Sequence, residues 1–184
     1  EMNLARVEYY FAKFLSAMER RARGVAEIEL GPDDTVKLTP NLLFVGTVNV
    51  DETTHLFSDK VFDRAQVLEL EVERADLERF MGDVPYKEAL LEVWDAVAEE
   101  APFAFRVIDD IRSYIDDAEG LKISWQEALD EQIVQKVLPK LNGAEVGPAI
   151  EKLVSLSQGR YPLTYAKAVK MRRDFEQHGF ASYF

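Results

Sequence analysis

The sequence predicts an α/β unit over residues 1–72 that is followed by an all-α unit over residues 73–184. Residues 42–48 are almost wholly apolar and rich in β-branched side chains, which is typical of a strand covered on both faces of a parallel sheet. Residues 2–22 carry apolar side chains at three- and four-residue steps, the pattern of an amphipathic helix that packs on a sheet. From residue 75 onward the apolar spacing is helical throughout.

The α/β unit is predicted to contain about half of a sheet. Four segments have the alternating or continuously apolar pattern of strands: 26–30, 35–38, 42–48 and 66–72. Turn-forming Gly, Pro and Asp residues occupy positions 31–34 and predict that the first two strands pair. Gly24 is expected to end the first helix. Ser58 is placed to cap a short helix that runs to Arg64.

The all-α unit shows apolar stripes that indicate helices packed around a core. The stripe positions are Leu90, Trp94, Val97, Ile108, Ile111, Ile115, Leu129, Ile133, Val137 and Leu141. Ser124 and Glu127 have the spacing of a capping box, and Asn142 with Gly143 indicates a helix end. Two further helices are predicted over residues 148–156 and 164–177.

Composition excludes several classes of site. The chain of 184 residues contains no cysteine, which excludes disulfides and thiolate metal ligands. Its two histidines, His55 and His178, are too few and too far apart to indicate a zinc centre, so no metal site is predicted. No segment approaches the roughly 18 apolar residues of a membrane span. The formal net charge of −12 disfavours direct contact with a phosphate backbone.

Asn49 is the first candidate site residue, because it follows the predicted strand 42–48. In open α/β sheets, ligands bind outside the carboxyl ends of the strands. A carboxamide at this position can hold a phosphate oxygen or an attacking water. The alternative is that Asn49 only forms the turn after the strand.

Three segments carry a resemblance to a known family: EMNLARVEYYF from Glu1, then GTVNVDETTH, then FSDKVFDRA. Together they resemble the second half of an AAA+ nucleotide hydrolase module of the McrB type, in the helix-insert branch that includes the MoxR group. The resemblance continues more loosely through ALDEQIVQKVLPKL to GFASYF and so covers nearly the whole chain. It implies a partial P-loop NTPase α/β subdomain followed by an α-helical lid.

The resemblance also implies roles for individual residues. Glu1 matches the catalytic Glu of an Asp-Glu pair and would orient the attacking water, and Asn49 matches the sensor. Asn3 matches an Asn that often follows the pair, with a helix N-cap as its alternative role. The sequence departs from the family where McrB-like loops carry an Asp followed by an Arg, because Glu52 or Thr53 stands there.

Two arginines complete the implied site. Arg64 matches the arginine finger, whose guanidinium would stabilise the transferring phosphoryl group across a subunit boundary. Its alternative is a surface arginine paired with Asp59 or Asp63. Arg106 lies where this branch places a second sensor arginine, with a structural role as the alternative. Arg112 is expected to be structural.

The phosphate loop of such a module, GxxxxGK[ST], is missing from the sequence. The chain is therefore expected to be a piece of a longer NTP hydrolase and to be inactive alone. The resemblance implies Mg²⁺ with ATP or GTP in the intact protein and no tightly bound cofactor on this piece.

The implied parent is a cytoplasmic ring, a hexamer in this family, that drives a restriction or DNA-defence system without a membrane anchor. Its partner would be an McrC-like nuclease, and other domains or that partner would contact DNA. Two alternatives remain open. One is a MoxR-like chaperone ATPase, and the other is a noncatalytic scaffold that binds proteins through its helical part.

Overall fold

The computed structural model describes residues 2–21, 24, 26–48 and 55–184. The chain divides into two compact units, Glu1–Leu70 and Glu71–Phe184. The division lies close to the predicted boundary between residues 72 and 73. The two units are called unit 1 and unit 2 below.

The helices of unit 1 are short. They are a 3₁₀ turn at Met2–Leu4, α1 at Val7–Tyr10, α2 at Ala12–Arg21 and α3 at Asp59–Phe62. The prediction of one continuous helix over residues 2–22 is wrong, because the backbone leaves the helical region at Phe11, with φ −101° and ψ 6°. Helical hydrogen bonds still cross this point, since the N–H of Phe11 donates to Val7 and the N–H of Leu15 donates to Phe11.

A two-stranded antiparallel hairpin follows α2, and its prediction is confirmed. Strand β1 spans Glu27–Gly31 and β2 spans Asp34–Lys37, with Ile28 opposite Val36. Two cations of α2 reach the backbone of β1. Lys13 Nζ donates to the carbonyl of Glu29 and Arg20 donates to that of Glu27, each at 2.9 Å. These bonds hold the hairpin to the helix.

The predicted strands at 42–48 and 66–72 are wrong, because neither segment is a strand in the structure. A strand needs a neighbour that satisfies its N–H and C=O groups. Neither segment pairs with a strand among the described residues, although the carbonyl of Thr47 accepts from the N–H of Met2 at 2.8 Å. Residues 42–48 are exposed rather than covered on both faces, and Val45 is 93% exposed. The apolar pattern of these two segments therefore does not by itself indicate a strand.

Unit 2 is helical over most of its length. Its helices are α4 at Arg74–Met81, α5 at Lys87–Val97, α6 at Phe105–Gly120, α7 at Trp125–Gln132, α8 at Gly147–Ser157 and α9 at Pro162–His178. After α7 the chain continues as a π-helical turn, Ile133–Val137, and a 3₁₀ turn, Leu138–Lys140. Pro139 offers no N–H and crowds the carbonyl four residues earlier, which explains why regular α-helix cannot continue here.

The predicted core stripes of unit 2 are confirmed. Nine of the ten stripe residues are buried, and Trp94 is partly buried, with its ring N–H donating to the carbonyl of Phe103 at 3.0 Å. The capping box is also confirmed, because Ser124 Oγ accepts from the N–H of Glu127 while the Glu127 carboxylate accepts from the N–H of Ser124. Among the described residues, no helix combines the length and apolar character needed to cross a membrane.

Candidate functional site

The structure describes three of the five predicted site residues. Glu1 and Asn49 lie outside the described residues. Asn3 and Arg64 belong to unit 1, and Arg106 belongs to unit 2. Asn3 and Arg64 thus share unit 1, whereas Arg106 lies on α6.

Arg64 is held by two polar contacts. One guanidinium nitrogen, Nη1, donates to the carbonyl of Lys60 at 2.7 Å. The other, Nη2, donates to the Glu19 carboxylate of α2 at 2.6 Å and forms an ion pair with it. The partner is thus neither Asp59 nor Asp63, the alternatives that the sequence suggested. The Arg64 side chain is 27% exposed, so it is neither buried nor free in solvent.

The position of Arg64 is set by the packing of α3. Val61 is buried with Val7 of α1 and Leu15 of α2 in a small apolar cluster. The N–H of Arg64 donates to the carbonyl of Val61 at 3.1 Å, so the backbone of Arg64 is tied to the buried Val61. Ser58 occupies the N-cap position of α3 as predicted, but its side chain does not make the capping hydrogen bond. Apolar burial thus places the backbone of Arg64 and Glu19 orients its side chain.

Arg64 lines an open cleft of about 510 Å³ in unit 1, called the Arg64 cleft below. Lys60, Ser16, Ser58 and Glu8 also line this cleft. The Ser58 hydroxyl and one Glu8 carboxylate oxygen are buried without a hydrogen-bond partner among the described residues. The cleft therefore offers donors that suit phosphoryl oxygens, next to a carboxylate that opposes them.

Asn3 is buried where the start of the described chain meets two other segments. The N–H of Met2 donates to the carbonyl of Thr47 at 2.8 Å, and the N–H of His55 donates to the carbonyl of Asn3 at 3.0 Å. The N-cap position of α1 is Arg6, so the alternative role of Asn3 as the cap of this helix is wrong. The backbones of Met2 and Asn3 are instead hydrogen-bonded to Thr47 and His55, respectively.

The two arginines of α6 differ in their surroundings. Arg106 lies in the first turn of α6, is exposed, and makes no hydrogen bond or ion pair with any described residue. Arg112 donates to the carbonyls of Phe80 and Met81 at 3.2 and 3.3 Å, at the end of α4, and its guanidinium lies over the Phe80 ring. The structural role predicted for Arg112 is confirmed. Arg106 has no such role in the described structure.

Asp130 is a buried carboxylate that sequence reasoning missed. Its two oxygens accept from the backbone N–H of Leu163 at 2.9 Å and of Thr164 at 2.8 Å, which caps α9 from α7. The available signal was Pro162 at the first position of α9 preceded by Tyr161, whose side chain provides no cap. A helix start without a local acceptor requires a distant one.

The ionisation shifts in unit 2 have structural causes. Burial raises the pKa of Tyr161 and that of Tyr86. The hydrogen bond that Tyr114 donates to Glu131 raises the pKa of Tyr114. The bonds from Ser124 lower the pKa of Glu127. These groups lie in the helical packing and its caps, so they indicate no reactive centre.

Comparison with known families gives one match. A family model described as "Domain of unknown function (DUF8727)" matches residues 75–180, which is more than half of the chain. No curated protein and no solved structure matches the chain. The matched range includes Arg106 and Asp130 but not Asn3, Glu19 or Arg64. The unit 1 candidates therefore rest on their own geometry and on the motif resemblance.

Proposed function

We propose that this chain, which belongs to the DUF8727 family, is the carboxyl-terminal part of an AAA+ nucleoside triphosphatase module of the McrB type. In this proposal unit 1 is the end of the α/β subdomain and unit 2 is the helical lid. The observation that carries the proposal is the state of Arg64. Its guanidinium is anchored at two nitrogens, partly exposed, and placed at an open cleft.

An arginine finger needs these properties. A guanidinium has five N–H donors in a rigid plane and keeps its charge at all relevant pH values. Two donors of Arg64 are used by Lys60 and Glu19, which leaves three that make no hydrogen bond with a described residue. Those three can reach the oxygens of a phosphoryl group that a neighbouring subunit of the ring presents. Their charge would stabilise the transition state of nucleotide hydrolysis.

The backbone around Asn3 supports the same proposal. Thr47 precedes the sensor candidate Asn49 by two positions, and Met2 directly follows the catalytic candidate Glu1. The hydrogen bond between Met2 and Thr47 brings these two chain segments side by side. Adjacent segments are what a Glu and an Asn need in order to act on one attacking water.

Arg106 is proposed as the nucleotide-sensing residue of the lid. It is exposed on the first turn of α6 and has no partner among the described residues that would have to be released. The nucleotide, ATP or GTP, and its Mg²⁺ would be bound by the phosphate loop of the intact protein. The described residues include no group of three or more His, Cys, Asp or Glu side chains that could hold the ion.

In the cell, the intact protein would form a cytoplasmic homo-hexameric ring that powers a restriction or DNA-defence system. The net charge of −12 disfavours DNA contact by this chain, which supports the proposal that an McrC-like nuclease or other domains contact DNA. A MoxR-like chaperone ATPase would use the same residues. A nuclease partner that copurifies with the full-length protein would favour the restriction system.

The test is nucleotide hydrolysis by the full-length protein that contains this chain, assayed with ATP and with GTP. Arg64→Ala should lower turnover by on the order of 10³-fold or more while nucleotide affinity stays within a few-fold, because transition-state charge is lost and the binding pocket is kept. Arg6→Ala is the matched control, since Arg6 is an exposed unit 1 arginine outside the cleft lining.

Two outcomes would contradict the proposal. Turnover of Arg64→Ala equal to that of Arg6→Ala would remove the finger assignment. No hydrolysis of either nucleotide by the wild-type protein, purified in its oligomeric state, would refute the hydrolase and favour the noncatalytic scaffold.

A further inference from the structure

We infer that Glu19 is a positioning residue that holds the Arg64 guanidinium in the orientation its proposed role requires. The inference rests on the proposed function, because it concerns how the same arginine is presented. Glu19 lies in α2 and Arg64 follows α3, 45 positions later. No motif of the sequence links the two residues.

The contact fixes the plane of the guanidinium. The carbonyl of Lys60 binds Nη1 and the carboxylate of Glu19 binds Nη2, so the two anchors are on different nitrogens. One anchor alone would leave the side chain free to rotate about it, whereas two define the plane and the direction of the remaining donors. Lys60 belongs to the same turn as Arg64, so Glu19 is the anchor that comes from another element.

The cleft supplies reasons why such an anchor is needed. Glu8 and Asp59 line the same cleft as Arg64, so two other carboxylates are available near the arginine. A guanidinium released from Glu19 can pair with one of them and turn its donors away from the cleft opening. By holding one terminal nitrogen, Glu19 keeps the other donors of Arg64 available to a phosphoryl group.

The ion pair contributes little to the stability of the fold, which makes the inference testable. Glu19 is about half exposed and Arg64 is partly exposed, and ion pairs of this kind contribute little free energy of unfolding. Removal of the Glu19 carboxylate should therefore leave unit 1 folded. A change in turnover would then not come from unfolding, and the double variant with Arg64→Ala tests whether it acts through Arg64.

The experiment measures kcat and KM of the full-length protein for wild type, Glu19→Ala, Glu19→Gln, Arg64→Ala and the double variant. Glu19→Ala should lower kcat by on the order of 10- to 100-fold, because a misplaced catalytic group loses that much rate. KM should stay within about twofold, since ground-state binding is untouched. Glu19→Gln keeps an acceptor oxygen, so its loss should be smaller. Asp63→Asn is the control, since Asp63 is an exposed acid next to Arg64 without an ion pair to a described residue.

The double variant distinguishes positioning from an independent effect. If Glu19 acts only through Arg64, the double variant should be no slower than Arg64→Ala alone. Further slowing would overturn the inference, as would a Glu19→Ala kcat equal to that of Asp63→Asn. A faster Glu19→Ala would also overturn it, because the pair would then restrain Arg64 rather than present it. These results leave the proposed function intact, whereas an inactive wild type would refute both.

Discussion

Replacement of Asp130 by Ala should destabilise unit 2 more than replacement of an exposed acid of that unit by Ala. Asp130 is buried in α7 and its carboxylate accepts the N–H groups of Leu163 and Thr164 at the start of α9. The Thr164 hydroxyl also donates to the Asp130 carbonyl at 3.3 Å. The substitution removes both carboxylate bonds and leaves the backbone of α9 without its cap.

The magnitude follows from the exposure of the two amides. Thr164 is 1% exposed, so its N–H cannot reach water, and such an orphaned donor costs about 1–3 kcal/mol. Leu163 is 52% exposed, so its N–H can turn to water and the loss there is about 1 kcal/mol. The sum is about 3 kcal/mol of unfolding free energy. For a unit of this size that lowers Tm by roughly 10 °C.

Tryptophan fluorescence during thermal unfolding of the chain measures this change. The chain has two tryptophans, Trp94 and Trp125, and both lie in unit 2, so the signal reports that unit. Asp130→Asn keeps one acceptor oxygen and should lose about half as much. Asp117→Ala, at an exposed position of α6, should stay within about 0.5 kcal/mol of wild type. If Asp130→Ala and Asp117→Ala unfold at the same Tm, the cap that Asp130 provides does not stabilise the start of α9.

Two further substitutions test the helix ends of unit 2. Arg112→Ala should cost about 1–2 kcal/mol, because the last carbonyls of α4 lose their donor, whereas Arg106→Ala on the same helix should stay within about 0.5 kcal/mol. Equal losses of unfolding free energy for Arg112→Ala and Arg106→Ala, measured by urea unfolding, would contradict the capping role of Arg112. Ser124→Ala should lower the free energy of unfolding by about 1 kcal/mol near neutral pH. Ser124 lowers the pKa of the Glu127 carboxyl in the folded state, so this contact stabilises the fold at pH values above the pKa of Glu127 in the unfolded chain. The difference in unfolding free energy between wild type and Ser124→Ala should therefore shrink as the pH falls through the pKa of Glu127 in the folded state. A pH-independent difference in urea unfolding would count against this linkage.

The features that sequence reasoning predicted correctly depend on short-range information. The capping box needs only Ser124 and Glu127, three positions apart, and the hairpin needs only the turn residues at 31–34. The core stripes follow from helical spacing, because each helix must bury its own apolar face. These features can be predicted from residues that lie a few positions apart in the sequence.

The features that were wrong or missed depend on partners far along the chain. Residues 42–48 have the composition of a buried strand, but a strand exists only when another strand satisfies its backbone groups. The bond from Thr164 to Asp130 spans 34 positions and the one from Arg64 to Glu19 spans 45. For Arg64, sequence reasoning offered only nearby acids as partners, whereas the fold brought an acid of α2 to it.

Helix α2 is the element through which polar contacts organise unit 1. Lys13 and Arg20 hold the carbonyls of β1, Arg21 donates to the carbonyl of Leu42, and Glu19 holds Arg64. The buried apolar clusters of this unit are small compared with the single large cluster of unit 2. Exposed polar contacts are individually weak, so one of them can be exchanged without loss of the fold. The orientation of the Arg64 side chain can therefore vary more readily than the fold of unit 1, and the Glu19 carboxylate is the contact from another helix that holds this orientation.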